Sequence, residues 1–257
     1  MNAVQVRQCD MTFNAGAANQ VQALKGIDLT VEGGEFVSLI GPSGCGKSTL
    51  LRLIGDLITP TAGNLEVFGK SAAQARIDRD YGMAFQQAGL FDWRKVAANI
   101  ALPLELMGWS RSDRSARTAE MLQLVKLDEF GDHYPWELSG GMQQRVAIAR
   151  ALSFSPRLLL MDEPFGALDE MTREHMQSEL LRIYEDLGTT IVFVTHSISE
   201  AVYLSSRVIV LSPRPGRIHS IIDVDLGHRS EGVRESAEFF KRTTEIRAAL
   251  RAVEEAG

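Results

Sequence analysis

An α/β fold interrupted by a helical insertion is predicted by three features of the 257-residue sequence. Short apolar runs of strand length stand at 35–40, 157–161 and 190–195, and each ends in polar or glycine residues. Segments with apolar residues at helical spacing separate strand-like runs elsewhere. The middle of the chain, about 95–151, changes to a helical texture throughout.

Taken in order, Val4 and Val6, then Ile27, Leu29 and Val31, alternate with polar neighbours in the manner of half-buried strands. Glu32-Gly33-Gly34 makes a turn, and the run 35–40 leads into a glycine-rich stretch. Leu50, Leu51, Leu53 and Ile54 then hold helical spacing, with Gly55 near the helix end. A turn opening at Pro60 precedes a short strand over 64–68. In the insertion, Ala97, Ile100 and Leu104 form one stripe, and Met121, Leu122, Leu124 and Val125 another. Pro103, Gly108, Gly131 and Pro135 punctuate it. A helix over 172–187 separates the last two apolar runs, and 208–211 and 218–224 read as further strands. Phe239, Phe240, Ile246, Leu250 and Val253 predict an amphipathic helical tail within 231–255.

Composition narrows the function classes. The chain is 45% hydrophobic and 23% charged, with a formal net charge of −6. That balance speaks against bulk electrostatic binding of nucleic acid or an anionic membrane, so no nucleic-acid partner is expected. No apolar run approaches the roughly 18–20 residues that span a bilayer. The N-terminal residues lack the basic-then-apolar pattern of a signal peptide. Cys9 and Cys45 form no disulfide framework, which fits a reducing cytosol. Membrane association is expected through a partner.

Gly41-Pro42-Ser43-Gly44-Cys45-Gly46-Lys47-Ser48-Thr49 satisfies G-x-x-x-x-G-K-[ST] between a predicted strand and a predicted helix. Glycines let backbone N–H groups curl around an anion, and the helix N-terminus adds its dipole. Lys47 brings a mobile positive charge for the β- and γ-phosphates, and Ser48 a hydroxyl ligand for Mg²⁺. The sequence therefore predicts Mg-ATP binding, although the loop alone suits a kinase, a GTPase or a motor ATPase equally. Cys45 is given no chemistry, since a loop position of this kind accepts many residues.

The run 157–161 is followed by Asp162 and Glu163. Asp162 is placed to hold the Mg²⁺ shell and Glu163 to polarise an attacking water. The run 190–195 leads into His196. A lone histidine is more often structural than catalytic, but ligands of open α/β sheets bind at the carboxyl ends of strands. The phosphate loop, the acid pair and His196 are thus expected to converge on one nucleotide.

Leu138-Ser139-Gly140-Gly141-Met142-Gln143-Gln144-Arg145 opens a helix with Ser139 as N-cap and two glycines that leave N–H groups exposed. An ordinary capped helix would look similar. Together with Asp162-Glu163 shortly after it, however, this octapeptide closely resembles the signature motif of the ATP-binding cassette (ABC) ATPases. Five motifs stand in that family's order, from Phe13 to about Val224.

The resemblance implies an α/β P-loop NTPase core with an N-terminal antiparallel β subdomain and an inserted α-helical subdomain. It divides a single ABC ATPase domain, 1–257, into a core (1–88 and 155–230), a helical signature subdomain (89–154) and a C-terminal helical tail (231–257). It implies that Phe13 stacks on adenine, that Gln86 is the Q-loop glutamine touching Mg²⁺ or water, and that His196 contacts the γ-phosphate. Ala167-Leu168-Asp169 resembles the D-loop, with Gly166 where many members carry serine. In the family, ATP is sandwiched between the phosphate loop of one copy and the signature motif of another. Ser139, Gly140, Gly141 and Gln143 are therefore expected to reach the nucleotide of a second copy.

Chromosome-maintenance members carry long coiled coils and translation members two cassettes; neither fits this length. A soluble assembly ATPase is the alternative to a transporter subunit. The apolar-aromatic stretch 88–94 resembles the surface that receives a coupling helix of a membrane subunit, although Leu90 and Trp93 would also serve as core. With 165–169, Trp93-Arg94 and 212–218, it resembles importers of the nitrate/sulfonate/taurine group, which also includes importers of pyrimidine-type compounds. Gln87, Asp92 and 197–199 depart from that group's commoner texture, which is often acidic at the positions of Gln87 and 197–199. About thirty residues follow Val224, room for a helix rather than the regulatory domain of sugar-importer ATPases. The resemblance implies a peripheral subunit on the cytoplasmic face of the inner membrane, bound to transmembrane permease subunits and indirectly served by a periplasmic solute-binding protein.

Overall fold

The structure is a computed structural model that describes residues 1–227, 229 and 231–255. Two long strands, β1 (Asn2–Phe13) and β2 (Val21–Glu32), pair antiparallel. β3 (Phe36–Ile40) follows and runs into α1 (Lys47–Ile54). Next come β4 (Ala62–Val67), β5 (Lys70–Ser71), α2 (Ala72–Ile77) and β6 (Tyr81–Ala84). The insertion supplies α3 (Val96–Leu106), α4 (Arg111–Leu124) and α5 (Gly140–Leu152). The chain then alternates through β7 (Leu158–Asp162), α6 (Glu170–Leu187), β8 (Thr190–Val194), α7 (Ile198–Leu204) and β9 (Arg207–Leu211). β10 (Ile218–Asp223), a 3-10 turn (Glu231–Glu235) and α8 (Ala237–Glu255) end the described chain.

These strands make two sheets. One has the order β2-β1-β4-β5, with antiparallel pairing throughout. The other has the order β10-β9-β3-β8-β7-β6, parallel from β9 to β6, with β10 antiparallel at the edge. β3, β7 and β8 are buried at every position, as strands covered on both faces must be. Their alternate residues serve two cores. Val37, Leu39, Leu158, Leu160, Val192 and Val194 face a core shared with β1, β2 and α1. Phe36, Ile40, Leu159, Met161, Ile191 and Phe193 face the core of the other helices. α1 thus lies between the sheets, touching β2, β4, β7 and β8. That placement fixes the phosphate loop, which is the stretch entering α1.

Several departures from the sequence reading have physical reasons. β6, α2 and α7 are real elements that periodicity does not reveal, because each is seven residues or fewer. The strand read at 64–68 begins at Ala62, and that at 218–224 ends at Asp223. In the tail, Phe239, Ile246 and Val253 are buried while Phe240 is exposed, since neighbouring helical residues point about 100° apart. The ends assigned above to the core and tail, residues 228, 230 and 256–257, lie outside the described residues.

Candidate functional site

The carboxyl ends of three neighbouring parallel strands, β3, β8 and β7, open on one cleft of about 480 Å³. β3 delivers the phosphate loop. Gly44 and Gly46 adopt φ +75° and +103°, a region costly for any residue with a Cβ. A Cβ at Gly46 would stand 2.5 Å from Leu24 Cδ2, and one at Gly41 2.8 Å from the Leu211 carbonyl oxygen. Packing therefore demands glycine at Gly41 and Gly46, and conformation demands it at Gly46 as well. Lys47, 7% exposed, donates from Nζ to the carbonyls of Gly41 at 2.8 Å and Pro42 at 3.0 Å. The Cys45 thiol turns into the core between the sheets, and burial pushes its pKa up despite nearby Lys47.

β7 ends at Asp162, whose Oδ1 accepts the Ser48 hydroxyl at 2.8 Å. Burial raises the Asp162 pKa above the usual carboxylate value, and the Ser48 hydrogen bond works in the opposite direction. Glu163 has φ +47°, a left-handed conformation for a residue with a side chain. Such a conformation costs of order 1–3 kcal/mol and persists only where the surroundings impose it. Here the Glu163 N–H donates to the Val194 carbonyl at 2.9 Å, holding the residue on the end of the β7–β8 ladder. Its side chain reaches the cleft, where Oε2 lies 3.1 Å from His196 Nδ1 and accepts from Gln86 Nε2 at 3.4 Å.

The cleft is lined by Phe13, Ser43, Gly44, Gly46, Lys47, Ser48, Thr49, Gln86, Glu163 and His196, all singled out from sequence. Val21, Ala23 and Arg214 line it as well and were not legible there. Arg214 arrives because Gly216 exchanges backbone hydrogen bonds with Ala23 (2.9 Å) and Lys25 (3.0 Å) on β2. A Cβ at Gly216 would stand 2.0 Å from the Cys45 carbonyl oxygen, so this turn lies directly on the phosphate loop. The turn residues Pro213, Pro215 and Gly216 announce a bend, but not the surface it covers.

Ser139, Gly140, Gly141 and Gln143 do not line this cleft. Ser139 caps α5 by accepting from the Met142 N–H at 3.3 Å, and Ser139 and Gly140 are exposed. Gln143 Nε2 donates to the carbonyls of Pro135 at 2.9 Å and Leu138 at 3.3 Å within its own chain. The same helix also grips the segment carrying Gln86. Gln144 Nε2 donates to the Phe85 carbonyl at 2.8 Å, and Arg150 to those of Ala88 and Gly89 at 2.9 Å each. These long-range bonds left no mark in the sequence pattern.

The sequence pattern of the ABC transporter family matches residues 24–166. This chain belongs to the ABC transporter family. It is 42% identical over 258 residues to a taurine import ATP-binding protein of Rhizobium johnstonii, covering 98% of both chains. A nitrate import ATP-binding protein of Synechocystis sp. is 45% identical over 243 residues, 92% of this chain and 91% of that one. An ABC transporter ATP-binding protein of Methanocaldococcus jannaschii is 48% identical over 228 residues, 89% of this chain and 84% of its own. Among solved structures, a dimeric post-hydrolysis ATP-binding cassette bound to ADP and Pi superposes with a TM-score of 0.80 at 35% identity, covering 88% of this chain and all of that one. The solved cassette relative shares this fold, in which the cleft stands at the ends of β3, β7 and β8. No helix among the described residues is long and apolar enough to cross a membrane.

Proposed function

We propose that this ABC ATPase is the energy-supplying subunit of a bacterial importer of a small solute such as nitrate, a sulfonate, taurine or a pyrimidine-type compound. Its place is the cytoplasmic face of the inner membrane, seated on transmembrane permease subunits, with a periplasmic solute-binding protein delivering cargo to them. The relatives named for taurine and nitrate import, similar over nearly the whole chain, support this reading.

The nucleotide lies along the cleft, its adenine against Phe13 and its phosphates over the backbone of 41–49. Lys47 and Arg214 supply positive charge there. Mg²⁺ fits the oxygen donors present, the hydroxyl of Ser48, the amide of Gln86 and the carboxylate of Asp162, since Mg²⁺ favours oxygen ligands and keeps several waters. When bound, it neutralises charge on the transferring phosphoryl group. Glu163 orients and deprotonates the attacking water, and His196 holds the γ-phosphate side of the site. The division into core, helical subdomain and tail described from sequence is kept in this reading.

The observation that carries the dimer is the placement of Ser139 to Gly141. This helix end, exposed at Ser139 and Gly140 and suited to an anion, lies outside the cleft of its own chain. A second copy in head-to-tail contact brings that end to the nucleotide, and the dimeric ATP-binding cassette relative supports the arrangement.

The decisive experiment is purification in detergent of the tagged chain expressed with its neighbouring genes. A multi-spanning permease in stoichiometric yield is expected, and ATP turnover should rise when the cognate binding protein and solute are added. Co-purification of soluble assembly factors instead would favour the alternative, a non-transport ABC ATPase.

A further inference from the structure

One buried polar chain connects the β8 end of the cleft to the C-terminal segment. Thr195, 1% exposed, immediately precedes His196. Its Oγ1 donates to Glu200 Oε2 at 2.5 Å and accepts from the Ser197 N–H at 2.9 Å, tying the backbone on both sides of His196 to one hydroxyl. Glu200, buried on α7, uses its other oxygen to accept from Gln177 Nε2 at 3.2 Å, with Arg173 Nε 3.8 Å away. Gln177, 1% exposed on α6, turns its own oxygen to Arg234. Arg234 belongs to the 3-10 turn before α8, and its guanidinium lies 3.6 Å over the ring of Tyr203 on α7.

A buried carboxylate is tolerated only when its oxygens are satisfied and a positive charge is near. Glu200 meets both conditions, and Arg234 orients the amide that satisfies one oxygen. Without Arg234, Gln177 is free to turn, and Glu200 loses a partner in surroundings of low dielectric. Thr195, and the short loop that presents His196, would then lose their fixed geometry.

We propose that Arg234 is a positioning residue for ATP hydrolysis, acting through Gln177, Glu200 and Thr195 to fix the loop of His196. The C-terminal segment thereby contributes to the hydrolytic rate through contacts with α6 and α7. This inference rests on the role given above to His196.

The test measures kcat and KM for ATP, and thermal stability, in Arg234→Met, Arg234→Lys, Thr195→Val and the Arg234→Met/Thr195→Val pair. Couplings through packed networks are typically about 0.5–2 kcal/mol, a roughly twofold to thirtyfold effect on rate. Arg234→Met is expected to lower kcat within that range with KM for ATP nearly unchanged, and Arg234→Lys, which keeps a donor, to recover much of the loss. The pair is expected to fall short of the product of its single effects, because both act on one chain of contacts. An unchanged kcat in folded Arg234→Met, a change confined to KM, or a full product in the pair would each overturn the proposal. Should Arg234→Met not fold, Arg234→Gln is read by the same criteria. His196→Ala is run in parallel. Its retaining full turnover would remove the role of His196, whereas its loss beside fully active Arg234 variants would remove only this inference.

Discussion

Glu163 Oε2 lies 3.1 Å from His196 Nδ1, joining the ends of β7 and β8 across a separation of 33 residues in sequence. One carboxylate oxygen is thus shared by the histidine and the Gln86 amide, while the left-handed backbone at Glu163 turns the side chain into the cleft. A group held this way suits a water-activating base, since its direction is set before any substrate arrives.

Glu163→Gln is expected to retain ATP binding while kcat falls by about 10²–10⁴, the usual contribution of a general base. Size-exclusion chromatography with Mg-ATP should show trapped dimers of this variant. Turnover at the wild-type rate would take the base role from Glu163.

Lys47→Ala removes the only ammonium in the phosphate loop and two hydrogen bonds to its carbonyls. Nucleotide affinity is expected to drop at least about tenfold, on the scale of 1.4 kcal/mol per decade. Titration with a fluorescent ATP analogue measures it, and an unaltered Kd would contradict the assignment.

Asp162→Asn separates stability from activity. The folded Asp162 carboxyl has a raised pKa, so folding favours its protonated form. Its stabilising contribution is full below the pKa of the unfolded carboxyl and is lost as pH rises through the folded value. At neutral pH the neutral amide should therefore leave the nucleotide-free chain at least as stable as wild type, with a Tm equal or higher. Mg²⁺-dependent hydrolysis should fall by at least about 10², as expected for loss of metal-based charge stabilisation. A clearly lower Tm in the amide variant would contradict the sign.

Arg214→Ala tests the residue that sequence reading passed over. It lines the cleft beside Gly44, with Nη2 3.3 Å from where a Cβ of that glycine would stand. KM for ATP is expected to rise by about two- to thirtyfold, the 0.5–2 kcal/mol scale of a partly solvated charge-assisted contact. Because ground and transition states gain equally from such a contact, kcat should change little.

What the sequence made legible follows from how local each signal is. The phosphate loop, the acid pair after β7 and His196 after β8 each sit at the end of an apolar run, so their convergence could be read from strand order alone. Arg214, Gln144 and Arg150 could not, because their roles depend on backbone partners 59–62 residues away or on a turn crossing to another sheet. Gln143 shows the reverse case: its motif was legible, but its rotamer is set by the carbonyls of Pro135 and Leu138. The short elements β6, α2 and α7 escaped because a single turn or a four-residue strand carries too few positions to establish a period.

The turn bearing Gly216 has a mechanical meaning. Its backbone rests on the Cys45 carbonyl while its neighbours are bonded to β2, and Leu24 closes on Gly46 from the same side. The floor of the cleft is therefore a braced arch, loaded from above by one hairpin and from below by α1. An arch of this kind transmits force without bending. The 85–89 strip on the rim has a different anchor, hanging from Gln144 and Arg150 of α5.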